Sequence, residues 1–89
     1  MNCVRISWTE EGWADHVYWQ SQDKRMIKRI NQLIRGILRN GYMGLGKPEP
    51  LKENLSGWRG RRIDEKHRLI YRILDGAIQI AQCRSHYAD

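Results

Sequence analysis

The stretch Lys24-Arg25-Met26-Ile27-Lys28-Arg29-Ile30-Asn31-Gln32-Leu33-Ile34-Arg35-Gly36-Ile37-Leu38-Arg39 has the clearest periodicity in the chain. Its isoleucine, leucine and methionine residues recur at steps of three and four, which predicts a helix with one broad apolar stripe. Basic side chains occupy most of the remaining helix surface. Such a face can dock nucleic acid, but for the helix alone a solvated face is the simpler interpretation.

A strand and a first helix are predicted before this stretch. Residues 3–8 alternate in part between apolar and polar side chains, as in a strand. Thr9 precedes two glutamates, and a hydroxyl N-cap followed by acids is typical of a helix start. The helix should run for roughly three turns, with Trp13, Val17 and Tyr18 spaced for one face. Because few residues separate the two helices, an antiparallel hairpin is predicted.

Three strands are predicted in the last third of the chain, at residues 59–64, 67–74 and 77–87. Asp75 and Gly76 lie between the second and third of these, and an Asp-Gly pair between alternating runs indicates a tight hairpin. The order of elements therefore predicts an α+β fold. It has an N-terminal strand, a two-helix hairpin and an antiparallel strand meander, with the helices packed on one face of the sheet.

A loop is predicted over residues 42–57, with Glu49 at its centre between Pro48 and Pro50. Proline fixes its own φ and favours an extended conformation in the residue before it, so the two prolines restrict the backbone around Glu49. The restriction suits a carboxylate that must be held in one place, although a surface loop with a stiff turn is the alternative. Residues 51–55 could add one turn of helix.

The composition limits the size and the partners of the protein. A chain of 89 residues is enough for one small domain, spanning 1–89. The net charge of +6 and the pI near 9.8 favour an anionic partner, although a monomer that merely repels its copies is the alternative. Two cysteines are too few for a disulfide framework, and neither a membrane span nor a signal peptide is found. A cytoplasmic location without membrane partners is predicted.

Metal and nucleotide sites are not predicted. Cys83 and His86 are three residues apart on a predicted strand, where they would point to opposite faces, and no second paired motif accompanies them. The glycine-containing segment 41–46 lacks the lysine and hydroxyl ending of a phosphate-binding loop. Three tryptophans are expected in the core or in a dimer contact, namely Trp8, Trp13 and Trp19.

Several motifs are spread over nearly the whole chain. The strongest are Gly44-x-Gly46-Lys47-Pro48-Glu49-Pro50-Leu51-Lys52, Asn54-Leu55-Ser56-Gly57, Arg61-Arg62-Ile63, His67-Arg68-Leu69-Ile70-Tyr71 and Cys83-Arg84-x-His86-Tyr87. In this order and at this spacing, the motifs resemble the YoeB/Txe toxins, which belong to the RelE-like group of bacterial toxin–antitoxin systems. The fold implied by the resemblance is the small RelE-like α+β fold.

The resemblance implies a ribosome-dependent endoribonuclease, or mRNA interferase, that needs no metal or other cofactor. Such a toxin enters the A site of a translating 70S ribosome, cuts the mRNA there and stops translation. A YefM-like antitoxin is implied to neutralise it, and the complex of the two is implied to bind promoter DNA, chiefly through the antitoxin. A homodimer and a toxin–antitoxin hetero-oligomer are therefore expected.

The family positions imply four catalytic residues. Glu49 is the general base, although a glutamate has a pKa of about 4.3 in model peptides and is a weak base unless burial raises its pKa. Arg68 is expected to hold two phosphate oxygens. His86 is the general acid, and Tyr87 stacks on a base or bonds a phosphate. Supporting cations for RNA binding are Lys47, Lys52, Arg61 and Arg62.

One departure from the family pattern concerns Arg68. Lys66 stands where the family often has a glutamate, so any role of that acid in orienting Arg68 is lost or passes to Asp64 or Glu65. A salt bridge to one of these two acids is also the alternative to phosphate binding by Arg68. Other departures leave the catalytic positions unchanged, namely Arg59 after Trp58, and Ala88 and Asp89 after Tyr87.

Two other functions remain open at this point. A non-catalytic basic module could occupy the ribosome or another RNA and block translation without cutting. A DNA-binding regulator has less support, because the chain has no recognition-helix pattern beyond its charge.

Overall fold

The predicted helices and strands are all present, and the structure has one additional short strand. The structure, a computed structural model, describes residues 5–42, 49–50 and 57–84. The elements in chain order are β1 (Arg5–Trp8), α1 (Glu10–Gln22), α2 (Lys24–Asn40), β2 (Glu49–Pro50), β3 (Arg59–Arg62), β4 (Arg68–Leu74) and β5 (Ala77–Gln82). The predicted turn at 51–55 lies outside the described residues, as do residues 3–4 and 85–87 of the predicted strands. Strand β5 ends at Gln82, so the prediction of a strand was wrong at Cys83 and Arg84.

A single residue, Asp23, separates the two helices. Its backbone N–H donates to the carbonyl of Trp19, 3.0 Å away, and so closes α1. Its carboxylate accepts a 3.0 Å hydrogen bond from the backbone N–H of Arg25 and so begins α2. Because one residue serves as the cap of both helices, the chain turns between them without a loop.

The face of α1 that packs on the sheet differs from the predicted one. Trp13 is 52% exposed, and Val17 and Tyr18 are also exposed. The buried face instead contains Gly12, where a Cβ atom would lie 2.5 Å from the carbonyl oxygen of Ile80 in β5. Only a glycine permits this approach, so the helix turns Gly12 towards the sheet, while Trp13, Val17 and Tyr18 remain exposed.

The five strands form one mixed sheet in the order β1-β5-β4-β3-β2. Strands β3, β4 and β5 make the predicted antiparallel meander, and β1 adds to the edge of β5 in parallel. The predicted hairpin between β4 and β5 is confirmed. Asp75 and Gly76 both have positive φ angles, 52° and 75°, as a two-residue turn of this kind requires.

Strand β2 lies within the segment that the sequence predicted as a loop. The backbone of Glu49 pairs with Gly60, and that of Pro50 pairs with Arg59, both in β3. The prolines favour an extended backbone, and proline is tolerated at the edge of a sheet because no further strand needs its missing N–H. The prediction of a loop was therefore wrong at residues 49–50.

The core lies between the helices and one face of the sheet. The predicted apolar stripe of α2 is confirmed, since its buried members pack against side chains of β4 and β5. Trp19 from α1 belongs to the same cluster, and Trp8 packs at its edge. No helix in the described ranges is long and apolar enough to cross a bilayer.

A carboxylate is buried beside this core. Asp15 of α1 is 8% exposed, and its Oδ2 atom accepts a 3.0 Å hydrogen bond from the backbone N–H of Cys83. Burial raises the pKa of Asp15, against the smaller lowering effects of that hydrogen bond and of the charges of Arg84 and His67. In the folded protein, the charged form of Asp15 is therefore less favourable than in water.

We expect the raised pKa of Asp15 to appear in the pH dependence of stability. As pH rises from the ordinary value of 3.8, the unfolded chain loses this proton before the folded protein does, so the free energy of unfolding falls. An Asp15→Asn variant cannot titrate there. Its free energy of unfolding relative to the original protein should therefore increase above that pH and then level off. Urea unfolding at a series of pH values measures this difference, and a constant or falling difference would contradict the raised pKa.

Candidate active site

Strands β3 and β4 place a row of arginines on the sheet face opposite the helices. Arg62 pairs with Arg68, and Gly60 pairs with Ile70. Cross-strand partners share a face, and so do residues two apart in a strand, so these positions lie on one side of the sheet together with Arg72. Ile70 is buried but does not belong to the helix-facing core, which agrees with this placement. We call this side of the sheet the arginine face.

The guanidinium of Arg68 is held by backbone carbonyls. Its Nη1 atom donates to the carbonyl oxygens of Asp64 at 2.7 Å, His67 at 3.1 Å and Glu65 at 3.2 Å. The side chain is only 9% exposed. Its Nε and Nη2 atoms donate no hydrogen bond to a described residue.

The salt bridge considered as an alternative for Arg68 is not formed. Within the described ranges, the one ion pair is between Arg25 and Asp23, at the start of α2. Arg68 is therefore fixed in position by dipoles, while no described carboxylate neutralises its charge. A cation held in this way keeps its attraction for a phosphate.

Asp64 orders the turn that supplies these carbonyls. Its Oδ1 atom accepts hydrogen bonds from the backbone N–H of His67 at 2.6 Å and of Lys66 at 2.9 Å. The carbonyl of His67 in turn accepts from the backbone N–H of Ile63 at 3.0 Å. Lys66 therefore contributes its backbone N–H to the turn. The sequence signal for this role is an aspartate that opens a short polar turn between two strands.

Arg61 lies on the opposite face from Arg62 and does not fit the predicted role of an RNA-binding cation. Its side chain is fully buried, at 0% exposure. Its Nε atom donates to the hydroxyl of Tyr71 at 3.0 Å, and its Nη2 atom donates to the carbonyl of Gly41 at 2.8 Å. Because neighbouring residues in a strand point to opposite sides, only Arg62 of this pair is exposed. Arg61 instead links the C-terminal end of α2 to the sheet through these two hydrogen bonds.

We expect a Tyr71→Phe substitution to lower the free energy of unfolding by about 1–3 kcal/mol, because it removes a hydrogen-bond partner of a buried guanidinium. The hydroxyl of Tyr71 is fully buried, and burial raises the pKa of this tyrosine. Urea unfolding gives the magnitude. Tyr18→Phe is the control, since Tyr18 is exposed and its hydroxyl has no hydrogen bond to a described residue. Equal small losses of unfolding free energy in both variants would show that the hydrogen bond between Arg61 and Tyr71 does not stabilise the fold.

Two further arginines of the sheet, Arg59 and Arg72, stack on aromatic rings. The guanidinium of Arg59 lies 4.2 Å from the ring centre of Tyr42, and that of Arg72 lies 4.4 Å from the ring centre of Trp58. Arg72 also donates from Nε to Gln79 at 2.7 Å. Arg59, the residue after Trp58, therefore stacks on Tyr42.

The backbone brings Glu49 to the same part of the sheet. Its partner Gly60 pairs in turn with Ile70, which pairs with Gln82 at the end of β5. With a strand spacing of about 4.8 Å and a rise of about 3.3 Å per residue, the Cα atoms of Glu49 and Arg68 lie about 12 Å apart. The side chain of Glu49 and the predicted residues Lys47, Lys52, His86 and Tyr87 lie outside the described residues.

Comparison with known proteins identifies the family of this chain. Residues 8–87 match the model of the YoeB-like toxins of bacterial type II toxin–antitoxin systems. The toxin YoeB of Escherichia coli strain K12 is 52% identical over 84 residues, which cover 94% of this chain and 100% of the relative.

Comparison with solved structures also finds toxins of the YoeB type. A YoeB/ParE toxin from Agrobacterium tumefaciens has a TM-score of 0.90 at 44% identity, covering 94% of this chain and all of the other. YoeB from Staphylococcus aureus, solved in a heterotetrameric YoeB–YefM complex and as a dimer, has a TM-score of 0.88 at 46% identity, with coverage of 94% and 98%. Since sequence and fold agree over nearly the full length, the chain belongs to the YoeB-like toxins of bacterial type II toxin–antitoxin systems.

Proposed function

We propose that the chain is a ribosome-dependent endoribonuclease that cuts mRNA in the ribosomal A site and so stops translation. Membership of the toxin family supports this proposal. The structural observation that carries it is Arg68, an almost buried guanidinium that is fixed by three backbone carbonyls and has no described carboxylate beside it. A preorganised cation of this kind stabilises charge that develops on a phosphate in the transition state.

The proposed reaction is a transesterification of the RNA strand. Glu49 takes the proton of a ribose 2′-hydroxyl, and the 2′-oxygen attacks the adjacent phosphorus. Arg68 stabilises the extra negative charge of the phosphorane. His86 then gives a proton to the departing 5′-oxygen, which leaves a 2′,3′-cyclic phosphate on one fragment and a 5′-hydroxyl on the other. Each proton transfer of this type contributes about 10²–10⁴-fold in rate.

The remaining site residues are proposed to hold the RNA. Tyr87 stacks on a base or bonds a phosphate, and Lys47 and Lys52 neutralise phosphates near Glu49. Arg62 is exposed on the arginine face beside Arg68, where it can contact the same strand of RNA. The basic face of α2 adds to the attraction for the ribosome, since the chain carries a net charge of +6.

The proposed protein partners follow from the solved relatives. The Staphylococcus aureus relative forms a heterotetramer with YefM and is also solved as a dimer. We propose that this chain likewise forms a homodimer and binds a YefM-like antitoxin in the cytoplasm, and that promoter DNA is bound through the antitoxin complex. Exposed apolar residues on β1 and α1 provide surface for such contacts, namely Ile6, Trp13 and Val17.

Primer extension on a defined mRNA in a translation reaction of purified components tests this function. We expect cuts at the codon in the A site when 70S ribosomes are present and none on the same mRNA without ribosomes. Equal cutting without ribosomes would overturn the ribosome dependence. Arrested translation on uncut mRNA would instead indicate a module that blocks the ribosome.

A further inference from the structure

The turn between β3 and β4 presents three backbone carbonyls to one atom of Arg68. The carbonyl oxygens of Asp64, Glu65 and His67 lie 2.7, 3.2 and 3.1 Å from its Nη1 atom. The partial negative charges of these oxygens repel one another. A contact that fixes the peptide groups of the turn therefore lowers the cost of holding the three carbonyls together.

The carboxylate of Asp64 makes such a contact. Its Oδ1 atom accepts hydrogen bonds from the backbone N–H of Lys66 at 2.9 Å and of His67 at 2.6 Å. The N–H of Lys66 and the carbonyl of Glu65 belong to one planar trans peptide group, so they point in opposite directions. Because Asp64 holds that N–H, the carbonyl of Glu65 points away from the carboxylate and towards Nη1 of Arg68.

The backbone of Asp64 closes the same turn. Its N–H donates to the carbonyl of His67 at 3.3 Å, and the N–H of Ile63 donates to the same carbonyl at 3.0 Å. This carbonyl also accepts from Nη1 of Arg68. Asp64 is thus bonded through its side chain, its N–H and its carbonyl to the group of atoms that holds the guanidinium.

The contacts of the Asp64 side chain also keep its negative charge from pairing with Arg68. Asp64 is exposed and only four residues from Arg68, yet the two side chains form no ion pair in the described part of the chain. The carboxylate is bonded instead to N–H groups of the turn. Since a paired carboxylate would compete with a phosphate for the guanidinium, Asp64 supports Arg68 without neutralising it.

We propose that Asp64 is a positioning residue, which fixes the guanidinium of Arg68 for a phosphate by orienting the carbonyls of the turn. This inference rests on the proposed function, because it gives Asp64 an effect on a proposed catalytic group. Asp64 does not touch the RNA and acts only through Arg68. A displacement of about 1 Å at such a group can cost about 10²-fold in rate.

Asp64→Ala removes the acceptor of the two turn N–H groups. We expect the single-turnover rate of cleavage on programmed ribosomes to fall by about 10–10²-fold, with the half-saturating toxin concentration unchanged. Asp64→Asn loses the charge but keeps an oxygen that accepts from the same N–H groups, so it should retain most of the rate. Equal losses in the two variants would contradict the proposal.

A double-mutant cycle shows whether Asp64 acts through Arg68. In an Arg68→Gln background no guanidinium remains to be held. Adding Asp64→Ala there should lower the residual rate by about twofold at most. If the double variant instead loses the full effect that Asp64→Ala has on the original protein, the two residues act independently and the proposal is wrong.

Asp23→Ala is the matched control for lost stability. The Asp23 carboxylate likewise accepts a hydrogen bond from a backbone N–H, that of Arg25 at 3.0 Å, but it does so between the two helices. This variant should also have a lower Tm, yet it should cut at the normal rate. If it loses as much rate as Asp64→Ala at an equal loss of Tm, the Asp64 variant acts through stability alone and the positioning role is wrong.

The Nε–H group of Arg68 provides a readout that does not depend on cleavage. Its NMR signal is assigned by its absence in Arg68→Gln, and relaxation of that signal measures the mobility of the side chain. The order parameter should be high in the original protein and in Asp64→Asn, and lower in Asp64→Ala. An unchanged order parameter in Asp64→Ala would overturn the proposal.

The outcomes separate this inference from the proposed function. If the original protein cuts mRNA but Asp64→Ala cuts equally fast, the positioning role is wrong and the function stands. If the original protein does not cut mRNA on ribosomes, the proposed function fails, and the role of Asp64 in cleavage fails with it.

Discussion

A Glu49→Gln variant is expected to cut mRNA on the ribosome about 10²–10⁴-fold more slowly than the original protein, because glutamine keeps the size of the side chain but cannot accept the 2′-hydroxyl proton. The backbone of Glu49 is paired with Gly60 in β3, so the substitution should leave the edge strand intact. Single-turnover cleavage on programmed ribosomes measures the rate. Sedimentation with ribosomes should show unchanged binding.

A matched control for this loss is Glu11→Gln, which removes the same charge from the exposed first turn of α1. It should cut at the normal rate. His86→Gln tests the general acid in the same way, with an expected loss of the same order. If Glu49→Gln cuts as fast as Glu11→Gln, Glu49 is not the base.

Arg68→Lys should lower the cleavage rate by about 10²–10³-fold, the usual effect of removing one preorganised donor from a transition state. Lysine keeps the charge but lacks the planar group that can bond the carbonyls of the 64–67 turn and a phosphate at once. The single-turnover rate, with folding checked by thermal unfolding, gives the effect.

Arg62→Lys is the comparison for Arg68→Lys. Arg62 lies across from Arg68 but is exposed and has no hydrogen bond from its side chain to a described residue. Its replacement should weaken docking only slightly, because lysine keeps the charge, and the cleavage rate should be retained. Similar losses in both variants would show that position and burial do not distinguish Arg68 from an ordinary phosphate contact.

The sequence predicted the parts of the fold that depend on local pattern. The stripe of α2, the cap at Thr9 and the Asp75-Gly76 turn each have a signal within a few residues. The prediction of the buried face of α1 was wrong, because that face depends on contacts between distant residues. Three large apolar residues there indicated burial, but a close approach of α1 to β5 at Gly12 decided the orientation.

The candidate site was predictable in its residue types but not in its contacts. In the stretch Arg59–Arg62, no apolar alternation shows which arginine points inwards, so the burial of Arg61 could be read only from the register with β4. The support of Arg68 consists of backbone carbonyls, which the turn geometry places and no side chain identifies. The hydrogen bonds of Asp15 and Trp19 with the backbone of Cys83 join residues more than sixty positions apart. No local sequence pattern predicts such contacts.

The length of the mRNA at the moment when translation stops is the most direct test of the proposed activity. It is measured in a reaction of purified components with the original protein and with Glu49→Gln. The original protein should stop translation with the mRNA cut at the A-site codon, whereas Glu49→Gln should bind ribosomes and leave the mRNA whole. If both proteins stop translation equally well while the mRNA remains uncut, the chain blocks the ribosome and is not a ribonuclease.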